Sequence, residues 1–291
     1  MPNLKEVRNR IVSVGSTMQI TSAMKMVSAA KLKRAQDAVV QMRPYANKLK
    51  EILENVSSSV DASENKFTRN SAVKSVLIIP ISSNRGLAGA FNSSIIKKTW
   101  TIINELKDVS ITVMPVGKKA YDAFHRTQYN IHGNDLPDHG NDLFNKLTFE
   151  NVTPFVDIIM NVYTSKQFDK VIIVYNQFKN AAVQIPTEEQ LLPIEASKIE
   201  TTKSRTDYDF EPGTEYIINE LIPRSIRTQF YKALLDSFAS EHGARMTAMH
   251  KATDNAAAMQ KELKITYNKA RQASITKEIL EIVAGAEALN G

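Results

Sequence analysis

Apolar residues recur every three to four positions through the first 56 residues of the chain. Alternating steps of three and four from Leu4 reach Val7, Ile11, Val14, Met18, Thr21, Lys25, Ser28, Leu32, Ala35, Val39, Met42, Ala46, Leu49, Leu53 and Val56. Thirteen of these sixteen positions are apolar, and the three exceptions, Thr21, Lys25 and Ser28, are consecutive. A sustained period of 3.5 predicts a long helix that buries a narrow seam against another helix. Pro44 is the one interruption, and it predicts a kink or the start of a second section. Between Thr21 and Val27 the apolar residues leave the seam, so this stretch is expected to face something other than the partner helix.

From about residue 73 to 194 the pattern changes. Val76 to Ile81, Ile111 to Val116 and Val171 to Tyr175 are short, β-branched apolar runs of strand length. Helical patterns lie between them at Phe91 to Leu106, Lys118 to Arg126 and Thr153 to Phe168. Strand alternating with helix predicts an α/β domain with a mainly parallel sheet, Rossmann-like in plan. The runs Ala181 to Ile185 and Leu191 to Ile194, each met by a proline, predict two closing edge strands.

Residues 195–213 are polar and end in Glu211-Pro212-Gly213, the composition of a linker. Helical periodicity returns over 214–291, with Pro223 and Gly243 as expected bends and an unbroken pattern from Ala244 to Leu289. Its seam is predicted to run through Met249, Ala252, Ala256, Met259, Leu263, Thr266, Ala270, Ala273, Lys277, Leu280 and Ala284. Small residues dominate it, which permits close approach of a second helix. At about 1.5 Å per residue the helices at the two ends would measure roughly 80 and 70 Å, against a radius of gyration near ~19 Å for a compact chain of this size. They are therefore expected to pair as a long antiparallel coiled coil (1–57 with 214–291) projecting from the central α/β domain (73–194).

Charge sharpens this plan. The formal net charge is +6, and residues 1–56 hold ten Lys or Arg against four Asp or Glu, while the remainder balances. All of the excess thus belongs to the first helix, an asymmetry that points to a partner. The chain has no cysteine, which excludes disulfides, thiol nucleophiles and cysteine-ligated metals. No apolar leader opens the sequence and no run approaches the length of a membrane span, so a chain neither exported by a signal peptide nor integral to a membrane is expected.

Candidate chemistry is sparse. Ser82 to Asn92 forms a Gly-containing turn between a strand and a helix, where backbone N–H groups can cradle phosphate. It lacks both the three-glycine dinucleotide pattern and the P-loop pattern. Of the five histidines, His132 and His139 share a loop with Asp135 and Asp138, but the irregular spacing and turn residues predict a solvated loop rather than a metal site. No nucleophile elbow or carboxylate pair is present, so no catalytic residue, cofactor site or metal site is assigned. Three readings follow from residues alone: a basic coiled coil that binds nucleic acid, a nucleotide-binding Rossmann-like enzyme, and a coiled coil that meets protein partners.

Leu4 to Ile11 and Thr17 to Leu32 closely resemble the N-terminal helix of the gamma subunit of F-type ATP synthase. Ser240-Glu241, Ala244 to Met249, Ala252 to Ala256, Tyr267 to Ile279 and Glu281 to Ala286 resemble its C-terminal helix, and Asn84-Arg85-Gly86-Leu87 resembles its central-domain turn. Where the family commonly has an acid, a cysteine and a second glycine at this turn, Asn84, Ala88 and Ala90 stand instead. The resemblance spans nearly the whole chain. It implies a central-stalk rotor with no active site of its own, turning inside a hexamer of alternating alpha and beta subunits and coupling ion flow to ATP synthesis or hydrolysis at the beta sites. The partners implied are alpha, beta, epsilon and the c-ring, with no nucleic acid, and the place implied is the cytoplasmic side of a bacterial inner membrane, peripheral through the complex. The resemblance also implies that Arg271, Gln272 and Thr276 meet a loop of beta, that Met24 lies near that loop on the N-terminal helix, and that Lys25 faces acidic segments of beta.

Overall fold

The computed structural model describes residues 4–57, 66–68, 72–106, 109–131, 136–194 and 217–290. The element order is α1 (Leu4–Ser57), β1 (Ser75–Pro80), α2 (Phe91–Glu105), β2 (Ser110–Val113), α3 (Lys118–Phe124), a 3-10 turn (Asn141–Phe144), α4 (Phe149–Thr164), β3 (Lys170–Phe178), β4 (Gln184–Leu192), a π-helical turn (Ile217–Leu221) and α5 (Ile222–Asn290). Contacts divide the chain into two compact units, Met1–Ser28 with Met246–Gly291, and Ala29–Arg245.

In the larger unit the strands lie in the order β2-β1-β3-β4. β1 is parallel to both β2 and β3, and β4 runs antiparallel to β3. Both faces of the sheet are covered, which is why its strands read as continuous apolar runs rather than alternating ones. Leu77, Ile79 and Ile81 pack with Val156 and Ile159 of α4 and with Ile222, Ile226, Phe230 and Leu234 of α5. Val76 and Ile78 pack on the other side with Ile95 and Ile102 of α2 and Ala120 and Phe124 of α3. Each fully buried side chain of this size contributes about 1.5–3 kcal/mol, so the two-sided core holds the sheet and the start of α5 as one piece. From Ala233 to Arg245 almost every α5 residue is buried. That stretch also meets α1: Arg43 donates to Asp236 Oδ1 at 3.0 Å and to the Phe178 carbonyl at 3.0 Å.

In the smaller unit the two ends of the chain pair antiparallel: Gly15 lies against Gln260, Thr21 against Thr253 and Lys25 against His250. The seam read from the sequence is the buried face of α1. Val7 is buried and Ile11, Val14 and Met18 are half-buried, and in the larger unit Leu32, Ala35, Val39, Ala46 and Leu49 are buried. Thr21 (9% exposed) and Ser28 (3%) stay in the seam although polar, while the apolar Ile20, Met26 and Val27 are exposed.

Two expectations need correction, the edge strands and the C-terminal seam. Gly243 does not end α5, which runs as one helix from Ile222 to Asn290. It serves a close approach: a Cβ there would lie 3.1 Å from Ala181 Cα in the β3–β4 connection. Pro44 lies inside α1 without ending it. The two predicted edge strands are one, β4, and it tolerates Pro186 because it lies at the sheet edge. The C-terminal seam also drifts. Met259 is 53% exposed and Thr266 is exposed, and the half-buried positions from there on are Gln260, Leu263, Tyr267, Ala270, Ala273 and Ser274, of which Leu263, Ala270 and Ala273 keep to the predicted seam. A helix of 3.6 residues per turn rotates away from a 3.5 repeat, and Gln260 is drawn inward over Gly15, which has no side chain to oppose it. Lys277, Leu280 and Ala284 are exposed. Residues 195–213, read as a linker, and the loop residues His132 and Asp135 lie outside the described residues.

Candidate functional site

The two stretches singled out in sequence, the paired helix ends and the turn after β1, are built differently. At the turn, Ser82 and Ser83 are fully buried. Ser82 Oγ donates to the Val116 carbonyl and accepts from the Ala120 N–H. The Ser83 N–H and hydroxyl both bond Asn92 Oδ1 at 3.0 Å, which ties the turn to the first residues of α2. Asn84 donates to the Asn141 carbonyl and accepts from the Lys118 N–H. Leu87 stands at φ 62 with its side chain 65% exposed, a left-handed conformation that costs a non-glycine residue about 1–3 kcal/mol.

What holds that turn is Arg245 of α5. Its Nη2 donates to the Arg85 and Gly86 carbonyls at 3.0 and 3.2 Å, its Nε to Gly86 at 3.3 Å, and its Nη1 to Glu241 Oε1 at 2.6 Å. The Arg245 and Glu241 side chains are nearly sealed from water. Burial pushes the Glu241 carboxyl up from its ordinary value, and the Arg245 guanidinium opposes that shift. The neighbouring His242 is pushed down to about 3, first by burial and then by the charges of Arg245 and Lys31. An open α/β sheet usually offers a ligand crevice where parallel strands diverge in order. Here the Arg85 and Gly86 carbonyls face inward and α5 supplies the cation they bind, the reverse of an N–H cradle for phosphate.

At the paired ends the predicted contact residues fall into two groups. Met24 and Lys25 are half-buried on α1, level with His250 and Thr253 of α5. Arg271, Gln272 and Thr276 are exposed on α5. Along the helix, Gln272 lies about 33 Å beyond His250 at 1.5 Å per residue, so Met24 and the Arg271–Thr276 group stand at different levels of the helix pair. The exposed face near the C-terminal end is mixed: Ile275, Ile279, Leu280, Ile282 and Val283 are exposed among Arg271, Lys277, Glu278 and Glu281. Sequence reasoning missed Arg245 and Glu241 as a pair. Their spacing of four on a helix was the available signal, but nothing local revealed that the turn carbonyls of residues 85 and 86 would come to meet them.

Among the described residues no three His, Asp or Glu side chains converge as metal ligands would, and no helix is long and apolar enough to cross a membrane.

Comparison with known proteins adds the family. The family model described as ATP synthase matches residues 3–289. The ATP synthase gamma chain of Flavobacterium johnsoniae is 55% identical and that of Christiangramia forsetii 54%, each with all of both chains covered. Among solved structures, the central stalk and c-ring of the Tetrahymena thermophila mitochondrial ATP synthase holds a chain 27% identical, with TM-score 0.56, over 80% of this chain and 99% of that one. A chain of the Euglena gracilis mitochondrial ATP synthase shares the fold at TM-score 0.67 and 21% identity, over 98% of this chain and 94% of that one. With paired terminal helices, a two-sided α/β sheet and relatives matched end to end, the chain belongs to the ATP synthase gamma chain family.

Proposed function

We propose that this chain is the central-stalk rotor of an F-type ATP synthase, coupling ion flow across the membrane to ATP synthesis or hydrolysis on the catalytic beta subunits. The observation that carries this reading is the antiparallel pairing of the two chain ends within a sequence matched along residues 3–289 by the ATP synthase family. A rotor that turns inside a close-fitting sleeve must not bind any one orientation strongly. The mixed surface around Ile275 to Val283, with apolar and charged residues interleaved, fits that demand better than a single large apolar patch would.

The family makes its partners those of an ATP synthase, a membrane-associated complex. The finer assignment is that alpha and beta surround the paired helices, that epsilon and the c-ring meet the α/β unit, and that the complex sits on the cytoplasmic side of a bacterial inner membrane. On this reading Arg271, Gln272 and Thr276 form one contact with beta, while Met24 and Lys25 form a second, separate contact further along the shaft. The basic excess of residues 1–56 supports an acidic surround for α1.

Co-expression with alpha and beta subunits tests the proposal. A stable complex should form, with ATPase activity that appears only when all three are present. A chain that recruits neither subunit, or that binds DNA or RNA with steep salt dependence, would overturn it.

A further inference from the structure

Where the α1 seam turns polar, a single ring nitrogen meets two groups of opposite charge. His250 Nδ1 is 3.4 Å from Lys25 Nζ across the helix pair and 3.4 Å from Asp254 Oδ2 one turn along its own helix. Beside it, Thr21 and Thr253 share a hydrogen bond of 2.8 Å, and Thr253 is anchored to the Met249 carbonyl. The charged groups facing the ring are therefore Lys25 from α1 and Asp254 from α5.

These two contacts exclude one another. An ammonium can only donate and a carboxylate can only accept. A bare Nδ1 accepts from Lys25, and a protonated Nδ1 donates to Asp254. Charge acts in the same direction, because an imidazolium repels Lys25 and attracts Asp254. We propose that His250 is a proton-operated contact between the two helices, bonded to Lys25 when neutral and to Asp254 when protonated, with the Lys25 ammonium freed in the second state.

The His250 and Asp254 side chains are 57% and 65% exposed, so each contact biases its equilibrium by about a factor of two and weakens with added salt. The effect is thus an adjustment of one side chain on a helix that stays paired through the residues on either side. In an assembled motor it would set whether Lys25 is available to acidic groups of the surrounding subunits, a consequence that rests on the rotor reading.

The test is nuclear magnetic resonance on the full chain labelled with 15N at histidine and lysine, from pH 5 to 8. At pH 8 the His250 ring should be the Nε2–H form with Nδ1 accepting, and the Lys25 Nζ signal should shift in step with ring protonation. In His250→Asn the Lys25 signal should stay flat over that range. An Nδ1–H ring at pH 8, or a Lys25 signal that follows the same course in His250→Asn as in the parent, would overturn the proposal. Because the readout uses the isolated chain, a failed switch and a failed assembly with alpha and beta are separate results.

Discussion

Arg245 and Glu241, one turn apart on α5, form an ion pair of 2.6 Å whose side chains are almost wholly enclosed, and Arg245 Nη2 donates to the Arg85 and Gly86 carbonyls. One buried guanidinium thus joins the long helix to the turn that follows the central strand. Replacing it strands a buried carboxylate and two carbonyls together. Arg245→Met should destabilise the chain by about 3–5 kcal/mol in urea unfolding, and the double change Arg245→Met with Glu241→Met should recover part of that loss. Equal losses in the single and double variants would show that the pair is not the source.

His242 carries a pH dependence of known sign. Its ordinary value is 6.5 and burial holds it near 3 in the folded chain, so between these limits only the unfolded chain takes up the proton. The stability held above pH 6.5 is therefore lost as pH falls, by about 2 kcal/mol on going to pH 5. Urea midpoints of the parent and His242→Gln, compared at pH 7 and pH 5, isolate this contribution because Glu241 and Asp236 are common to both. The parent should lose more stability than the variant.

Gly117 precedes α3 with φ 98, and a Cβ there would stand 2.2 Å from the Ser82 carbonyl oxygen. Backbone strain and the clash act together, so Gly117→Ala should cost about 3 kcal/mol or more. Thermal unfolding reads this directly, and a variant within a degree or two of the parent would contradict the packing described for the turn.

Met24 is half-buried at the level of His250, with no contact to the Arg271–Thr276 group. A lysine there adds a charge to a surface that is expected to release its surround at every orientation. Met24→Lys should leave assembly with alpha and beta intact and lower ion pumping per ATP hydrolysed. If pumping and hydrolysis fell in strict proportion, the contact would not bear on coupling.

The parts of this protein that could be read from sequence are those set by local periodicity. The α1 seam from Val7 to Leu49 follows from a 3.5 repeat, and the three parallel strands from β-branched runs such as Val171 to Tyr175. The pairing of the two chain ends followed from helix length as well, but individual long-range contacts were not legible. Gly243 read as a bend because a glycine inside a helix usually weakens it, whereas here it admits the Ala181 backbone. Met259 read as seam because the repeat was extended past the point where Gln260 turns inward over Gly15. The contact residues Arg271, Gln272 and Thr276 came from family resemblance, since exposed polar side chains on a helix carry no local mark of a partner.

Rotation within an assembled complex is the central claim. The chain has no cysteine, so one introduced at Ser93, an exposed position on α2, can carry a probe on a complex immobilised through its beta subunits. During ATP hydrolysis the account predicts continuous rotation of the probe in one direction. Sustained hydrolysis with the probe stationary would contradict it.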